Sequence, residues 1–241
     1  MRHAAGVTLI ESEALVVRTV EFGESDIIAT LVTEKAGKVS TVVRGARKGS
    51  RRSGGALEPL HTIAVLLEDR GSDLTTLKEA RVVRVRAALA GDLDALDAAG
   101  MALRWARHLF PPRTVEPHGW RVLIELLDVL DAPAAERGSV RRELARAGLA
   151  MLGAVGYGLE FDRCVACGRE CPEGKMACVD PARGGLVCRS CGGAATVLLP
   201  KTRELARALI QGAPADVSPA EAESLLGLVA RAMAAHTGFD R

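Results

Sequence analysis

The sequence predicts an α+β chain in which a small amino-terminal β-barrel of five strands precedes an α-helical domain interrupted by a four-cysteine metal module. Three observations predict it. Runs rich in β-branched residues, broken by Gly, Ser and Asp, fill residues 14–86. After Gly91 the hydrophobic period changes from two to 3.6. Two C-x2-C pairs, Cys164/Cys167 and Cys188/Cys191, stand twenty residues apart in the second half. The implied organisation is one domain over residues 1–90 and a helical domain over 91–241, with the metal module at 160–197.

The expected strands are Ala14–Thr19, Asp26–Thr33, Lys38–Arg44, Thr62–Glu68 and Leu74–Arg86. Glu34 to Lys38 is a short hairpin loop, in which Gly37 suits a positive φ. Arg81 to Arg86 alternates as a half-buried edge strand does. Five short strands in about seventy residues, with a basic loop between the third and fourth, suit the five-stranded oligonucleotide-binding barrel. An SH3-like barrel is the competing fold. Helices are expected at Asp92–Phe110, with Asp92 as N-cap and Leu93, Leu96, Ala99, Leu103, Ala106 and Phe110 as its stripe, and at Trp120–Leu130 and Ser139–Tyr157. Residues 164–191 read as irregular. Helix returns at Thr202–Gln211 and after Ser218-Pro219-Ala220-Glu221, a capping box with proline at its first helical position.

Composition narrows the function classes. Apolar residues at 48% and charged residues at 26% are globular values. No apolar run of membrane-spanning length occurs, and Glu11 and Glu13 interrupt the amino-terminal apolar stretch, which excludes a secretory signal. A cytoplasmic protein is expected. The net charge of +2 is too small to argue for a nucleic-acid partner, but its distribution does. Residues 35–57 hold Lys35, Lys38, Arg44, Arg47, Lys48, Arg51 and Arg52 with no acidic residue, while the rest of the chain is net acidic. Arg and Lys on a Gly/Ser backbone can follow a line of phosphates; the plainer reading is a solvated loop. Only Phe22 among the first ninety residues is aromatic, so backbone-directed, weakly sequence-dependent binding is expected.

Cys164, Cys167, Cys188 and Cys191 have the spacing of a tetrahedral zinc site, and Gly168 and Gly192 suit the tight turns after each pair. Four thiolates would leave no open coordination position, so one structural zinc per chain is expected, with no role in activating water. Buried free thiols are the alternative. Cys171 and Cys178 are extra and are read as free thiols. No phosphate-binding loop is present, since Gly168 to Lys175 is one residue too long and ends at Met176. The motifs of serine hydrolases, zinc proteases, dinucleotide enzymes and zinc deaminases are likewise missing. His61 and His108 read as packed or surface side chains and Trp105 and Trp120 as core anchors. A non-enzyme is expected. Arg121, Arg141 or Arg142 could receive an acidic peptide on a helical face, against the simpler reading of solvated helix surface.

These residues also carry a resemblance. Gly23-Glu24-Ser25-Asp26-Ile27-Ile28, Leu31-Val32-Thr33, Gly37-Lys38 and Arg44-Gly45-Ala46-Arg47-Lys48 resemble the amino-terminal signature of the bacterial RecO recombination-mediator family. Gly156-Tyr157 before Cys164-x-x-Cys167-Gly168, then Gly185-Leu186-Val187-Cys188-x-x-Cys191, resemble its cysteine module in the same order. The resemblance implies an oligonucleotide-binding barrel, a helical domain and a zinc module that some members have lost. It implies binding to single- and double-stranded DNA and annealing of strands coated with single-strand-binding protein, whose acidic tail some members hold. It further implies joint action with RecR in loading RecA without ATP, and association with the nucleoid during repair. Of the basic residues, Lys38, Arg44, Arg47 and Lys48 lie in the matched motif; Lys35, Arg51 and Arg52 rest on charge alone. A zinc-ribbon module binding RNA or a protein, and a metal-dependent nuclease with carboxylates gathered by the fold, are the rival readings.

Overall fold

The computed structural model describes residues 6–46 and 57–238. The chain divides into two compact units, Met1–Asp131 and Ala132–Arg241. The first therefore holds two helices in addition to the barrel.

The barrel is built from β1 (Thr8–Phe22), β2 (Asp26–Thr33), β3 (Gly37–Val43), β4 (Thr62–Asp69) and β5 (Leu74–Arg84). It closes in the order β1-β2-β3-β5-β4, with β3 and β5 parallel at Ser40–Val42 and β1 returning to β4. This is the five-stranded oligonucleotide-binding arrangement. Alternation sends Ala14, Val16, Ala29, Leu31, Val39, Val43, Ile63, Val65 and Leu67 into one core. The β2–β3 turn needs glycine twice over. Gly37 has φ +67°, and a Cβ there would lie 2.0 Å from the backbone carbonyl oxygen of Thr114.

β1 is longer at both ends than the expected Ala14–Thr19. Its first half alternates exposed Glu11 and Glu13 with buried Ser12 and Ala14. A bulge between Val16 and Arg18 then shifts the register by one residue. Past the bulge Arg18, Val20 and Phe22 face outward. At the far end of the sheet polarity inverts, since Val85 is exposed and Arg86 is 2% exposed. The Arg86 guanidinium donates to Asp128 Oδ1 at 2.9 and 2.6 Å, to the Leu60 carbonyl at 2.7 Å and to Thr62 Oγ1 at 3.0 Å.

In the same unit α1 (Leu93–Leu109) and α2 (Pro117–Asp131) pack together. Asp92 caps α1 by accepting from the Ala95 N–H at 2.9 Å, as expected. The expected stripe holds at Ala99, Leu103, Ala106 and Phe110, all buried, and needs correction only in the first turn. Leu93 is 81% exposed and Leu96 lies at the surface, while Ala95, Ala98, Ala99 and Ala102 take the buried face. Small side chains let the helix approach its neighbours closely. Trp105 and Trp120 are core residues, as expected.

The second unit holds α3 (Val140–Ala154), α4 (Pro200–Ile210) and α5 (Pro219–Thr237), with α3 packed on both others. Residues 164–191, expected to be irregular, supply two strands of a three-stranded antiparallel sheet whose third strand lies just beyond them. Its strands β6 (Ala177–Asp180), β7 (Gly185–Leu186) and β8 (Thr196–Leu198) lie in the order β7-β6-β8. Strands of two to four residues are too short to show a period. Among the described residues no helix is long and apolar enough to cross a membrane.

Candidate metal centre and candidate nucleic-acid interface

The short sheet joins the two cysteine pairs. In the first knuckle the Gly168 N–H donates to the Cys164 carbonyl at 2.8 Å, and Gly168 has φ +72°. In the second the N–H groups of Cys191 and Gly193 both donate to the Cys188 carbonyl, at 2.9 and 3.0 Å, with Gly192 at φ +100°. These are the tight turns expected of both glycines. Val165 N–H donates to the Leu186 carbonyl at 2.8 Å, and Val187 N–H to the Cys178 carbonyl at 2.9 Å. The strand leading into Cys188 thus lies against the first knuckle.

The result is a cluster in which the Sγ atoms of Cys164, Cys167, Cys188 and Cys191 all lie within 4.8 Å of one another. Cys167 and Cys188 are 3.8 Å apart, close to the edge of about 3.8 Å for a tetrahedron of sulfurs held about 2.3 Å from a central ion. The Cys188 N–H donates to Cys164 Sγ at 3.3 Å. That bond, then the N–H groups of Ala166 and Cys167, pulls the Cys164 thiol down to about 6, while hydrogen bonds with Cys188 and Cys167 hold Cys191 up to about 12. Crowded sulfurs oppose one another's ionisation, and a cation bound by all four removes that opposition. The donor set fits a soft metal. Cys171 and Cys178 stand outside this cluster; Cys171 Sγ instead accepts from the buried Arg203 guanidinium.

The basic segment divides by environment. Lys35 is exposed in the β2–β3 turn, its backbone N–H donating to Ser12 Oγ at 3.0 Å. Lys38 is half-buried, and its ammonium donates to the Arg107 carbonyl in the last turn of α1 at 2.5 Å. Burial, and then the charge of Arg107, lowers its pKa from the ordinary lysine value. A lysine at the carboxyl end of a helix complements the helix dipole, so Lys38 has a packing task beside any ligand. Arg44 is exposed at the end of β3. The next residue, Gly45, has φ +66° and donates its N–H to Asp26 Oδ1 at 2.8 Å, which fixes the root of the basic loop beside the β1–β2 turn. Arg47, Lys48, Arg51 and Arg52 lie outside the described residues.

Further charges gather where no sequence pattern pointed. Arg107 donates to His108 Nε2 at 2.8 Å. The His108 pKa is pulled down by burial, then by the charges of Arg107, Lys38 and Arg18. Cations from β1, β3 and α1 thus meet at one end of the barrel. His61 accepts from the Arg86 N–H at 3.3 Å and is a packed histidine. On the helices, Arg141 pairs with Glu223 and Arg142 with Glu143, and Arg121 contacts His118 at 2.9 Å.

Known proteins match this chain over almost its whole length. Residues 7–86 match the family model for the recombination protein O N terminal, and residues 90–241 the one for the recombination protein O C terminal. The DNA repair protein RecO of Anaeromyxobacter sp. strain Fw109-5 is 41% identical over 186 residues, 75% of this chain and 70% of that protein. The RecO of Anaeromyxobacter sp. strain K is 37% identical over 90% of this chain and 84% of its own. That of Myxococcus xanthus is 34% identical over 95% and 92%. The barrel and the rest of the chain after it are matched in order by the two halves of one family, and the chain belongs to the RecO family of DNA repair proteins.

Proposed function

We propose that this protein is a recombination mediator that binds single- and double-stranded DNA through its barrel and anneals complementary strands coated with single-strand-binding protein. In this reading it acts with RecR to help load RecA and uses no nucleotide. The observation that carries it is a closed oligonucleotide-binding barrel, in a chain of the RecO family, whose residues 35–57 concentrate cations without a carboxylate. Cations that neutralise two phosphate backbones lower their repulsion, and holding both strands raises their effective concentration for pairing. Base pairing then supplies specificity, so no base-reading side chains are required. The four-cysteine cluster would hold a structural zinc that pins the two knuckles of the second unit. No step of annealing runs through it, and we read the chain as a non-enzyme. The acidic tail of single-strand-binding protein would be held by the helical unit, and the protein would work in the cytoplasm at the nucleoid.

The test is annealing of complementary strands coated with their cognate single-strand-binding protein, without nucleotide, by the parent and by a variant with Arg47, Lys48, Arg51 and Arg52 all changed to Ala. The parent is expected to anneal and the folded variant to fail. Its affinity for every DNA sequence should fall alike, with the salt slope flattened by about 0.7 to 0.9 for each phosphate no longer neutralised. A zinc-loaded, folded parent that does not anneal would overturn the mediator reading and leave a zinc-ribbon binding module in its place.

A further inference from the structure

Two of the six cysteines stand outside the metal centre, and they share a cavity. Cys171 and Cys178 both line a hollow of about 410 Å3 in the second unit, a size within the range of small-molecule sites. Buried Ala177, Leu186 and Val187 give it an apolar wall. Cys164 and Cys188 border it on one side, so it abuts the metal centre. Three exposed cations, Arg169, Lys175 and Arg189, line it against a single carboxylate, that of Glu170. Among the described residues none of these three cations has an ion pair with a carboxylate. The lining thus combines apolar surface with a net positive charge, which favours an anionic organic occupant.

A second observation singles out one thiol. The sulfur of Cys171 accepts from the Arg203 guanidinium, which also donates to the Pro172 carbonyl at 2.9 Å. Arg203, on α4, is 1% exposed. Among the described residues no carboxylate pairs with it, and its Nε has no partner. A guanidinium keeps its charge at every working pH, and a buried charge without a counter-ion is costly. Of its two partners only Cys171 can supply an anion, because a thiol ionises and a carbonyl does not. The thiolate is the nucleophile of thiol exchange. Cys178 lines the same cavity, but among the described residues no cation donates to its sulfur. The two extra thiols read alike in the sequence and differ in chemistry.

We propose that Cys171 is a thiol-exchange site for an anionic low-molecular-weight disulfide, whose attached half occupies the cavity while Arg169, Lys175 and Arg189 attract its carboxylates. The Cys171 thiolate attacks one sulfur of the disulfide. A new S–S bond forms to Cys171, the S–S bond of the disulfide breaks, and the other half leaves as a thiolate that takes a proton from water. Cys171 is oxidised and the leaving sulfur reduced, so the disulfide is the only oxidant required. Excess free thiol runs the same exchange backward, which makes the modification reversible. Arg203 is a positioning residue that supports the attacking sulfur. The site is independent of the nucleic-acid reading and gives the second unit a covalent response to the thiol–disulfide balance around it.

The test incubates the full chain, in buffer containing zinc, with oxidised glutathione, which carries carboxylates, with neutral hydroxyethyl disulfide and with cationic cystamine. Adducts are counted by intact mass and located by peptide mapping, and each rate is divided by that of a free cysteine peptide with the same disulfide. One adduct at Cys171 is expected, with the highest relative rate for oxidised glutathione, and excess reduced thiol should remove it. Cys171→Ser should abolish it. Arg169→Ala and Lys175→Ala, both surface changes, should each lower the relative rate with oxidised glutathione by roughly 1.5- to 5-fold and leave that with hydroxyethyl disulfide unchanged. Arg203→Met should slow Cys171 with all three disulfides, while Arg203→Lys, which keeps the buried charge, should restore the reaction. Adducts spread over several cysteines, a Cys171 no faster than the free peptide, or equal relative rates for the three disulfides would overturn the proposal.

Discussion

The buried Arg86 shows how one residue can carry more of the fold than its type suggests. A guanidinium 2% exposed is tolerated because Asp128, the Leu60 carbonyl and Thr62 satisfy it together. Arg84 adds a second contact to Asp128 at 2.9 Å, so one carboxylate serves two cations across the junction of β5 and α2. Asp128→Asn should leave the buried charge uncompensated and cost on the order of 3–5 kcal/mol, read as a lower urea midpoint with an unchanged slope. A loss below about 1 kcal/mol would show that water or the Leu60 carbonyl already compensates Arg86. This pair was not legible in the sequence. The two residues are 42 positions apart, and the neighbouring alternation puts Val85 rather than Arg86 in the interior. The lysines divide for a similar reason. Lys35 and Lys38 sit three positions apart in one basic run, yet only the fold shows that Lys38 faces the end of α1.

At the scale of elements, legibility followed the strength of local chemistry. β2, β3 and β4 carry β-branched runs and end within a residue or two of where those runs end. β1 was half legible, because Glu11 and Glu13 suit its exposed face but break an apolar run, and the bulge at Val16/Arg18 has no sequence signal. In α1 the expected stripe held from Ala99 to Phe110, but in the first turn Leu93 and Leu96 were the wrong guide, since Ala95 and Ala98 take the buried positions there. The start of α5 was fully legible. Ser218 Oγ accepts from the Glu221 N–H at 3.4 Å, and Glu221 Oε2 accepts from the Ser218 N–H at 2.8 Å. Lys201 Nζ lies 2.9 Å from the second Glu221 oxygen and joins α4 to this cap. The Lys201 bond, then the Ser218 donors, hold Glu221 down to about 2. A carboxylate with a depressed folded pKa stabilises the fold above its ordinary value near 4.5 and loses that contribution as pH falls from there toward about 2. Ser218→Ala should cost about 1 kcal/mol at neutral pH and shrink the acid-dependent part of stability over that window. Denaturant melts of parent and variant between pH 6 and pH 2.5 test this. Parallel stability curves would show that Lys201, and not the cap, sets the Glu221 titration.

On the scale of the whole molecule, the two candidate sites lie in different compact units, the cations in Met1–Asp131 and the four sulfurs in Ala132–Arg241. Spacing made the metal centre legible because two knuckles need only local turns and one cross-link. The gathering of Arg18, Lys38 and Arg107 did not announce itself, because it needs strand register and a helix end together. The division also makes a prediction about dependence. If the sulfurs hold one zinc as a structural cross-link, a strong chelator under mild denaturant should release one equivalent per chain and lower the melting midpoint by about 10 °C, the shift expected from a loss of roughly 4 kcal/mol in a chain of this size. Below that midpoint the salt dependence of single-strand binding should be unchanged, because Arg18, Arg44 and Arg107 all belong to the barrel unit. A chelated protein that melts like the parent would remove the metal from the fold. One that stays folded yet loses its salt slope would place phosphate-binding cations on the cysteine unit, where Arg169 and Arg189, two of the exposed cations of that segment, directly follow a cysteine pair's turn or lie within it and are the ones to substitute next.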